Sequence, residues 1–401
     1  MTPPVVAPAA RTPSADHHPV LKEMSFLDRW LPLWILLAMG LGLLLGNLIP
    51  GLDHALESVT IANVSVPIAV GLLVMMYPVL AKVRYDETRR ITADRRLMAT
   101  SLLLNWIVGP ALMFGLAWLF LADLPEYRTG LIIVGLARCI AMVLIWNDLA
   151  CGDREAAAVL VAINSVFQVL AFGVLGWFYL QVLPAWLGLP TTSAEFSVGA
   201  IVLSVLVFLG IPLLAGFLTR TVGERAKGRD WYENRFLPKL GPWALYGLLF
   251  TIVLLFALQG QAIVESPLDV ARIALPLLAY FVIMFLGSLL LARAVGLDYA
   301  RATTVAFTAS GNNFELAIAV AIGTFGVTSG QALAGVVGPL IEVPVLVALV
   351  YVSMWLGRRL FPNDPTVPGP VVSGSASEPT ERDAAAAPDA HLPPTLSRRT
   401  P

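Results

Sequence analysis

The sequence predicts an all-α polytopic membrane protein: ten transmembrane helices as two inverted five-helix repeats, with discontinuous fourth and ninth helices that cross. Three observations lead there. Of the 401 residues, 57% are hydrophobic and only 13% charged, and the mean hydropathy of +0.78 lies far from that of a soluble globular chain. Apolar stretches of the roughly 20 residues that a helix needs to cross a bilayer recur along nearly the whole sequence. Between them, Lys/Arg-rich loops alternate with Lys/Arg-poor ones, as correctly counted spans require.

In order, the expected spans are 31–49, 60–81, 97–121, 128–147, 156–182, 197–219, 243–263, 270–293, 301–323 and 332–356. Lys82, Arg84, Arg89, Arg90, Arg95 and Arg96 crowd the loop after the second span. Arg220, Arg225, Lys227, Arg229, Arg235 and Lys239 crowd the loop after the sixth, and Arg154, Arg293, Arg301, Arg358 and Arg359 share that side. The other side offers only Arg128 and Arg272. Both termini are therefore expected in the cytoplasm, and the protein in the cell membrane as a multi-pass chain.

Residues 1–23 and 361–401 are expected as disordered cytoplasmic tails, because Pro, Ala, Ser and Thr bury too little apolar surface to offset ordering entropy. Residues 24–185 then form the first five-helix repeat and 186–360 the second. The first span follows a polar lead and ends in GNLIPG without a small-residue cleavage site, unlike a signal peptide. Two cysteines imply no disulfide framework, and a net charge of −1 says less than its distribution over the loops.

Five crossings per half is an odd number, which sets the second half upside down relative to the first, as in many secondary transporters. An internal echo supports this: one ungapped shift aligns Gln168 in INSVFQV with Glu342 in VGPLIEV, and Arg138 and Cys139 with Asn312 and Asn313. It pairs the fourth span with the ninth and the fifth with the tenth.

Those four spans hold most of the intramembrane polarity. Arg138, Asn312, Asn313 and Glu315 would be costly against lipid and are expected to face a protein interior or a water-filled path. Gly311, Asn312 and Asn313 interrupt an otherwise apolar run, the mark of unwound backbone whose freed groups can meet a solute. Gly338-Pro339 and Pro344 bracket Glu342, where proline loosens the preceding turn. The bland alternative for such Gly and Pro is a packing kink.

Cys139 by itself reads as a small packing residue. Beside Arg138, however, a guanidinium favours thiolate, the ligand that thiophilic elements select. Cys151 lies twelve residues on, about 18 Å along a helix, too far to join it in a chelate. Glu315 and Glu342 are the candidate proton sites, since burial and a neighbouring cation act on a carboxyl in opposite senses. Asn105, Asn164 and Gln168 read as polar lining or contacts between helices. His17, His18, His54 and His391 fall in tails or a loop, leaving no His for an intramembrane metal site or catalytic triad, and no phosphate-cradling Gly-Lys motif appears.

At these residues the chain resembles a known family. MMYPVLAKVRYDE, GLARCIAMVLIWNDLA, GIPLLAGFLTR, FTIVLLFALQG, GNNFELAIAVAIG and GPLIEVPV look like the arsenical-resistance permeases of the bile acid/arsenite/riboflavin transporter superfamily. The likeness runs from Phe26 to Leu360 in order. It implies the ten-helix inverted-repeat fold and efflux of arsenite, sometimes antimonite, in exchange for protons. It also implies that Cys139 is the essential thiol and metalloid ligand, with Arg138 beside it, and that Glu315 and Glu342 are functional. Asn105, Trp146, Asn164 and Asn312 match polar or aromatic positions around the family's pathway, and Asn313 completes the polar set. The expected partners are the inorganic solute, protons and the bilayer; no cofactor, nucleic acid or obligate protein partner is expected. The C-terminal tail lies outside the family pattern.

Two other functions fit parts of the pattern. A sodium-coupled organic-anion carrier of the same fold would use Arg138 on a carboxylate or sulfonate and GNNFE on sodium, leaving Cys139 as packing. A non-transporting membrane sensor would have no need of carboxylates in both halves.

Overall fold

The computed structural model describes residues 30–49, 51–52, 60–61, 64–83, 94–140, 142–191 and 198–368. Residues 1–23, Arg84, Arg89, Arg90 and all four histidines lie outside these, so the expectations made for them do too.

Helix α1 (Leu31–Leu48) is followed by two short antiparallel strands, β1 (Thr60–Ile61) and β2 (Val64–Ser65), and by α2 (Val66–Ala81). The second span was expected to be helical from residue 60. Instead the helix begins at Val66, because Pro67 sits in its first turn, where a missing N–H costs nothing. Helix α3 (Arg95–Phe120) passes through a π turn at Leu104–Val108. Next come α4 (Pro125–Leu136), α5 (Met142–Leu149), α6 (Arg154–Trp186) and α7 (Val198–Lys227). The chain continues with α8 (Leu237–Glu265), α9 (Pro267–Ala294), α10 (Tyr299–Ser310), α11 (Phe314–Phe325) and α12 (Gly330–Leu360).

Among the described residues, six helical stretches are long and apolar enough to cross a membrane: Arg95–Phe120, Arg154–Trp186, Val198–Lys227, Arg229–Leu258, Pro267–Ala294 and Gly330–Leu360. Their outer faces carry Leu119, Leu170, Ile211 and Leu275, each more than half exposed. In water such a band would be a liability, whereas against acyl chains it is the ordinary surface of a membrane protein.

Helices α1, α2 and α8 pack together, with Ile211–Lys227 of α7 against α2. A second group gathers α3, α4 and α6 with α9, α10, α11 and α12, and Val198–Val205 at the start of α7 lies against α6 and α11. Asparagine, aspartate and serine caps set where five helices of the second group start, while α4 and α9 start on prolines without a side-chain cap. Asp94, Asp153, Asp298, Asn313 and Ser329 each accept a backbone N–H from the first turn they precede.

Three of these caps meet one guanidinium. Arg301 lies 2.8 Å from Asp94, 3.6 Å from Asp153 and 3.9 Å from Asp298, tying the starts of α3, α6 and α10 at the Arg-rich end. Residues 361–368, expected as the beginning of a structureless tail, are ordered there. Asp364 accepts the Tyr299 N–H at 2.6 Å, and the Thr366 hydroxyl accepts the Ala300 N–H at 3.3 Å, so the segment adds to the capping of α10. At the opposite end, Tyr127 donates to Asp269 at 3.1 Å, and Glu126 accepts the Gly330 N–H at 3.0 Å. Asp123 pairs there with Arg272, whose guanidinium holds the carboxyl below its usual range.

Candidate functional site

The polar interior is built where two helices stop and restart. Helix α4 ends at Leu136 and α5 begins at Met142; α10 ends at Ser310 and α11 begins at Phe314. The breaks lie against each other as a one-residue antiparallel bridge between Arg138 and Asn312. Cys139 N–H donates to Gly311 C=O at 3.2 Å, and Asn313 N–H to Ala137 C=O at 3.1 Å. Chain that has left helical pairing inside a membrane must find such partners, because unsatisfied backbone groups cost several kcal/mol each in hydrocarbon.

Side chains from the following helices complete the arrangement. Arg138 N–H donates to Gln168 Oε1 of α6 at 2.9 Å, and Asn312 N–H to Glu342 Oε1 of α12 at 3.2 Å. The shift that carries Arg138 onto Asn312 also carries Gln168 onto Glu342 and Pro125–Leu136 onto Tyr299–Ser310. The echo between the two halves is thus matched by equivalent hydrogen bonds.

Arg138 is fully buried. One terminal nitrogen donates to the Tyr280 hydroxyl at 2.7 Å and to Ala309 C=O at 3.2 Å, and the other to Gly135 C=O. Among the described residues it forms no ion pair; its terminal nitrogens are held by neutral oxygens, and the guanidinium lies 6.0 Å from the centre of the Tyr280 ring. Tyr280, which also donates to Ala309 C=O, was not anticipated; a single tyrosine in LLAYFVIM carries no signal apart from its neighbours in space. Gly109 was missed too. A Cβ there would stand 2.7 Å from the Arg138 terminal nitrogen and 3.1 Å from the Tyr280 hydroxyl, so glycine makes room for the guanidinium.

Cys139 is buried at 4% exposure against Gly311, where a Cβ would come within 2.9 Å of the cysteine Cβ. Cys151 is placed apart, in the turn between α5 and α6, and adopts a left-handed conformation at φ 57°. Burial, followed by the charge of Asp148, pushes its thiol up.

The remaining anticipated residues divide into two groups. Asn312, Asn313 and Glu342 belong to the crossing, with Glu315 half-buried in the first turn of α11. Asn105 and Asn164 form a chain of contacts that reaches the crossing through Gln168. Asn105 bonds Ser101, Asn164 accepts the Trp106 indole N–H at 3.1 Å and donates to Asn105 at 3.4 Å, and Gln168 donates to Asn164 C=O at 3.3 Å. This chain starts at the π turn of α3, a distortion common at functional sites. Trp146 is buried on α5.

Four buried polar atoms of these residues lack a hydrogen-bond partner among the described residues: Arg138 Nε, Trp146 Nε1, Asn312 Oδ1 and Asn313 Nδ2. Buried groups of this kind are rare in finished cores. Three donors and one acceptor left in this way are groups that a small hydroxylated solute could satisfy.

The chain matches the model of the Sodium Bile acid symporter family over residues 69–266. It is 66% identical over 353 residues to the arsenical-resistance protein Acr3 of Corynebacterium glutamicum, covering 88% of this chain and 95% of that one. The chain belongs to the Acr3 arsenical-resistance family. A second Acr3 protein, from Alkaliphilus metalliredigens, is 32% identical over 83% of this chain and 93% of its own length. An uncharacterized transporter of Synechocystis is 36% identical over 85% and 92%. Membership makes this Acr3 homologue a multi-pass membrane transporter rather than an enzyme, in keeping with its apolar helices.

Proposed function

We propose that the protein exports arsenite from the cytoplasm in exchange for protons, with antimonite as a second cargo, and thereby confers arsenic resistance. The observation that carries this is Cys139 set against Gly311 at the crossing, next in sequence to a buried Arg138 that forms no ion pair among the described residues. The proteins named Acr3 among its relatives support the choice of solute.

Arsenite at neutral pH is chiefly an uncharged trihydroxide, so membrane potential alone cannot drive its export and a coupling ion must. In the proposed cycle, Cys139 takes the metalloid from the cytoplasm. The thiol sulfur bonds arsenic while the thiol hydrogen leaves with one hydroxide as water, and the reverse reaction releases it. Glu315 and Glu342 are deprotonated during loading, and their protonation from outside weakens the site. The protons then return inward. Arg138, Asn312, Asn313 and Trp146 offer hydrogen bonds to the remaining hydroxyls, with Asn105 and Asn164 along the approach. This reading places ten spans in the cell membrane as two inverted five-helix repeats, 24–185 and 186–360, with both termini cytoplasmic. The matched hydrogen bonds of Gln168 and Glu342 support that repeat.

The test is arsenite uptake into everted membrane vesicles under an imposed proton or sodium gradient, with and without Cys139→Ser. Proton-driven uptake that the substitution abolishes at unchanged membrane level is the expected result. Uptake driven by sodium, or resistance retained without the thiol, would overturn the reading in favour of an organic-anion carrier or a passive role for the cysteine.

A further inference from the structure

Of the side chains that close the crossing, Gln168 and Glu342 occupy equivalent positions and make the same bond, yet only one of them can ionise. Helix α4 has ended at Leu136, so the Arg138 N–H has no helical acceptor, and Gln168 Oε1 provides one. The other end of the amide is also engaged: Nε2 donates to Asn164 C=O on the preceding turn of α6. The side chain is fully buried, and both its functions point in fixed directions. A hydrocarbon here would strand the buried Arg138 N–H, a loss that costs more than the bond's net worth, while Asn164 C=O would keep its helical partner.

From this we infer that Gln168 is a positioning residue for the transport site: it fixes the Arg138–Cys139 break whatever the proton load, leaving the equivalent contact at Glu342 as the one that protons can alter. The inference rests on the proton-coupled reading above. A glutamate at 168 shows why the amide matters. Protonated, a carboxyl reproduces both bonds, accepting from Arg138 N–H and donating to Asn164 C=O. Ionised, it sets an oxygen against that carbonyl, and the second bond turns into repulsion.

Few ionisable groups compete for this role. The break itself carries Arg138 and Cys139, with Tyr280 bonded to Arg138 and Glu315 and Glu342 across the crossing. Residues 198–210 of α7, packed against α6, contain none. On α4, α5 and α10 the others lie toward the helix ends: Glu126, Tyr127 and Arg128, then Asp148, then Tyr299 and Arg301. On α6 itself they are Arg154, Glu155 and Tyr179.

The experiment measures the rate at which a small methanethiosulfonate labels Cys139 in membranes, in a Cys151→Ser background. Rates of Gln168→Glu and Gln168→Leu are taken relative to the Gln168 protein in acid, neutral and alkaline buffers. Opening of the break by loss of one bond should raise labelling about fivefold to tenfold, the factor one net hydrogen bond is worth. For Gln168→Glu the ratio is expected near one in acid, rising by that factor in alkali; for Gln168→Leu it is raised throughout. Arsenite uptake by Gln168→Glu should fall over the same alkaline range. A Gln168→Glu ratio that stays flat with pH, or Gln168→Leu at the unsubstituted rate, overturns the inference. If Gln168→Leu does not accumulate, the acid-to-alkaline comparison on Gln168→Glu decides alone. Absence of proton-driven uptake by the unsubstituted protein would instead defeat the efflux reading, and the labelling ratios would still report on Gln168.

Discussion

Replacing Gly109 with alanine should disable the site through one methyl group. That methyl would stand 2.7 Å from the Arg138 terminal nitrogen and 3.1 Å from both the Tyr280 hydroxyl and Leu104 C=O, against an ordinary contact of 3.4 Å or more. The Leu104 carbonyl is backbone in the π turn and cannot yield, so the guanidinium must retreat by roughly 0.7 Å, given how steeply contacts rise inside their optimum. Such a retreat carries its 3.2 Å bond to Ala309 C=O past the hydrogen-bonding limit. Overpacking of this kind costs about 1–3 kcal/mol, so the competent arrangement falls about 5-fold to 150-fold in population. Gly115, six residues on in the same helix, is the control, since a Cβ there meets nothing within 4 Å. Gly115→Ala should be neutral or stabilise by up to about 1 kcal/mol. The assay is proton-driven arsenite uptake in everted vesicles, normalised to protein in the membrane. A Gly109→Ala protein as active as Gly115→Ala would refute the argument that Arg138 must occupy this spot.

Asp364→Ala should lower the melting temperature of detergent-solubilised protein by an amount equivalent to a lost helix cap, about 0.5–2 kcal/mol. Partial burial works against the Asp364 carboxylate, but hydrogen bonds from Thr366 and from the Tyr299 N–H outweigh it and depress its folded-state value. Its contribution is therefore present above the unfolded-state value and lost as pH falls through the folded one. The two proteins should differ at neutral pH and converge in acid; a gap independent of pH would count against the carboxylate's role. In a Cys139→Ser background, alkylation of Cys151 should be slow at neutral pH and accelerate in alkali, because burial and Asp148 raise its thiol. Asp148→Asn should shift that profile toward neutrality, and labelling as fast as a free thiol's at neutral pH would contradict it.

What the sequence disclosed follows from what can be read one residue at a time. Apolar length announced the helices, and the GNN interruption announced the break before α11, since glycine and paired asparagines have no business in an apolar helix otherwise. The matching break at residues 137–140 was harder to see, because ARCI contains no helix breaker; its geometry comes from pairing with Gly311 and Asn313 across the molecule. Gln168 and Glu342 could be aligned by eye, but that each caps a break required knowing where the preceding helices end. Tyr280 and Gly109 left no trace, for both matter only through a guanidinium contributed by the break between α4 and α5. Residues 361–368 shared the tail's composition, while Asp364 and Thr366 found backbone donors at the start of α10 that local sequence does not reveal.

The bridge between Arg138 and Asn312 has a mechanical consequence. Its two main-chain bonds join stretches of chain from opposite halves of the sequence, and two capping side chains seal the outer amides. Pulling the breaks apart would strip several buried backbone groups of partners, at a cost of about 1–3 kcal/mol apiece. The crossing therefore behaves as a rivet: a motion that keeps the rivet whole is cheap, and one that shears it is not. Whatever cargo the rivet grips travels with it, and the openings that admit and release that cargo have to form in the packing around it.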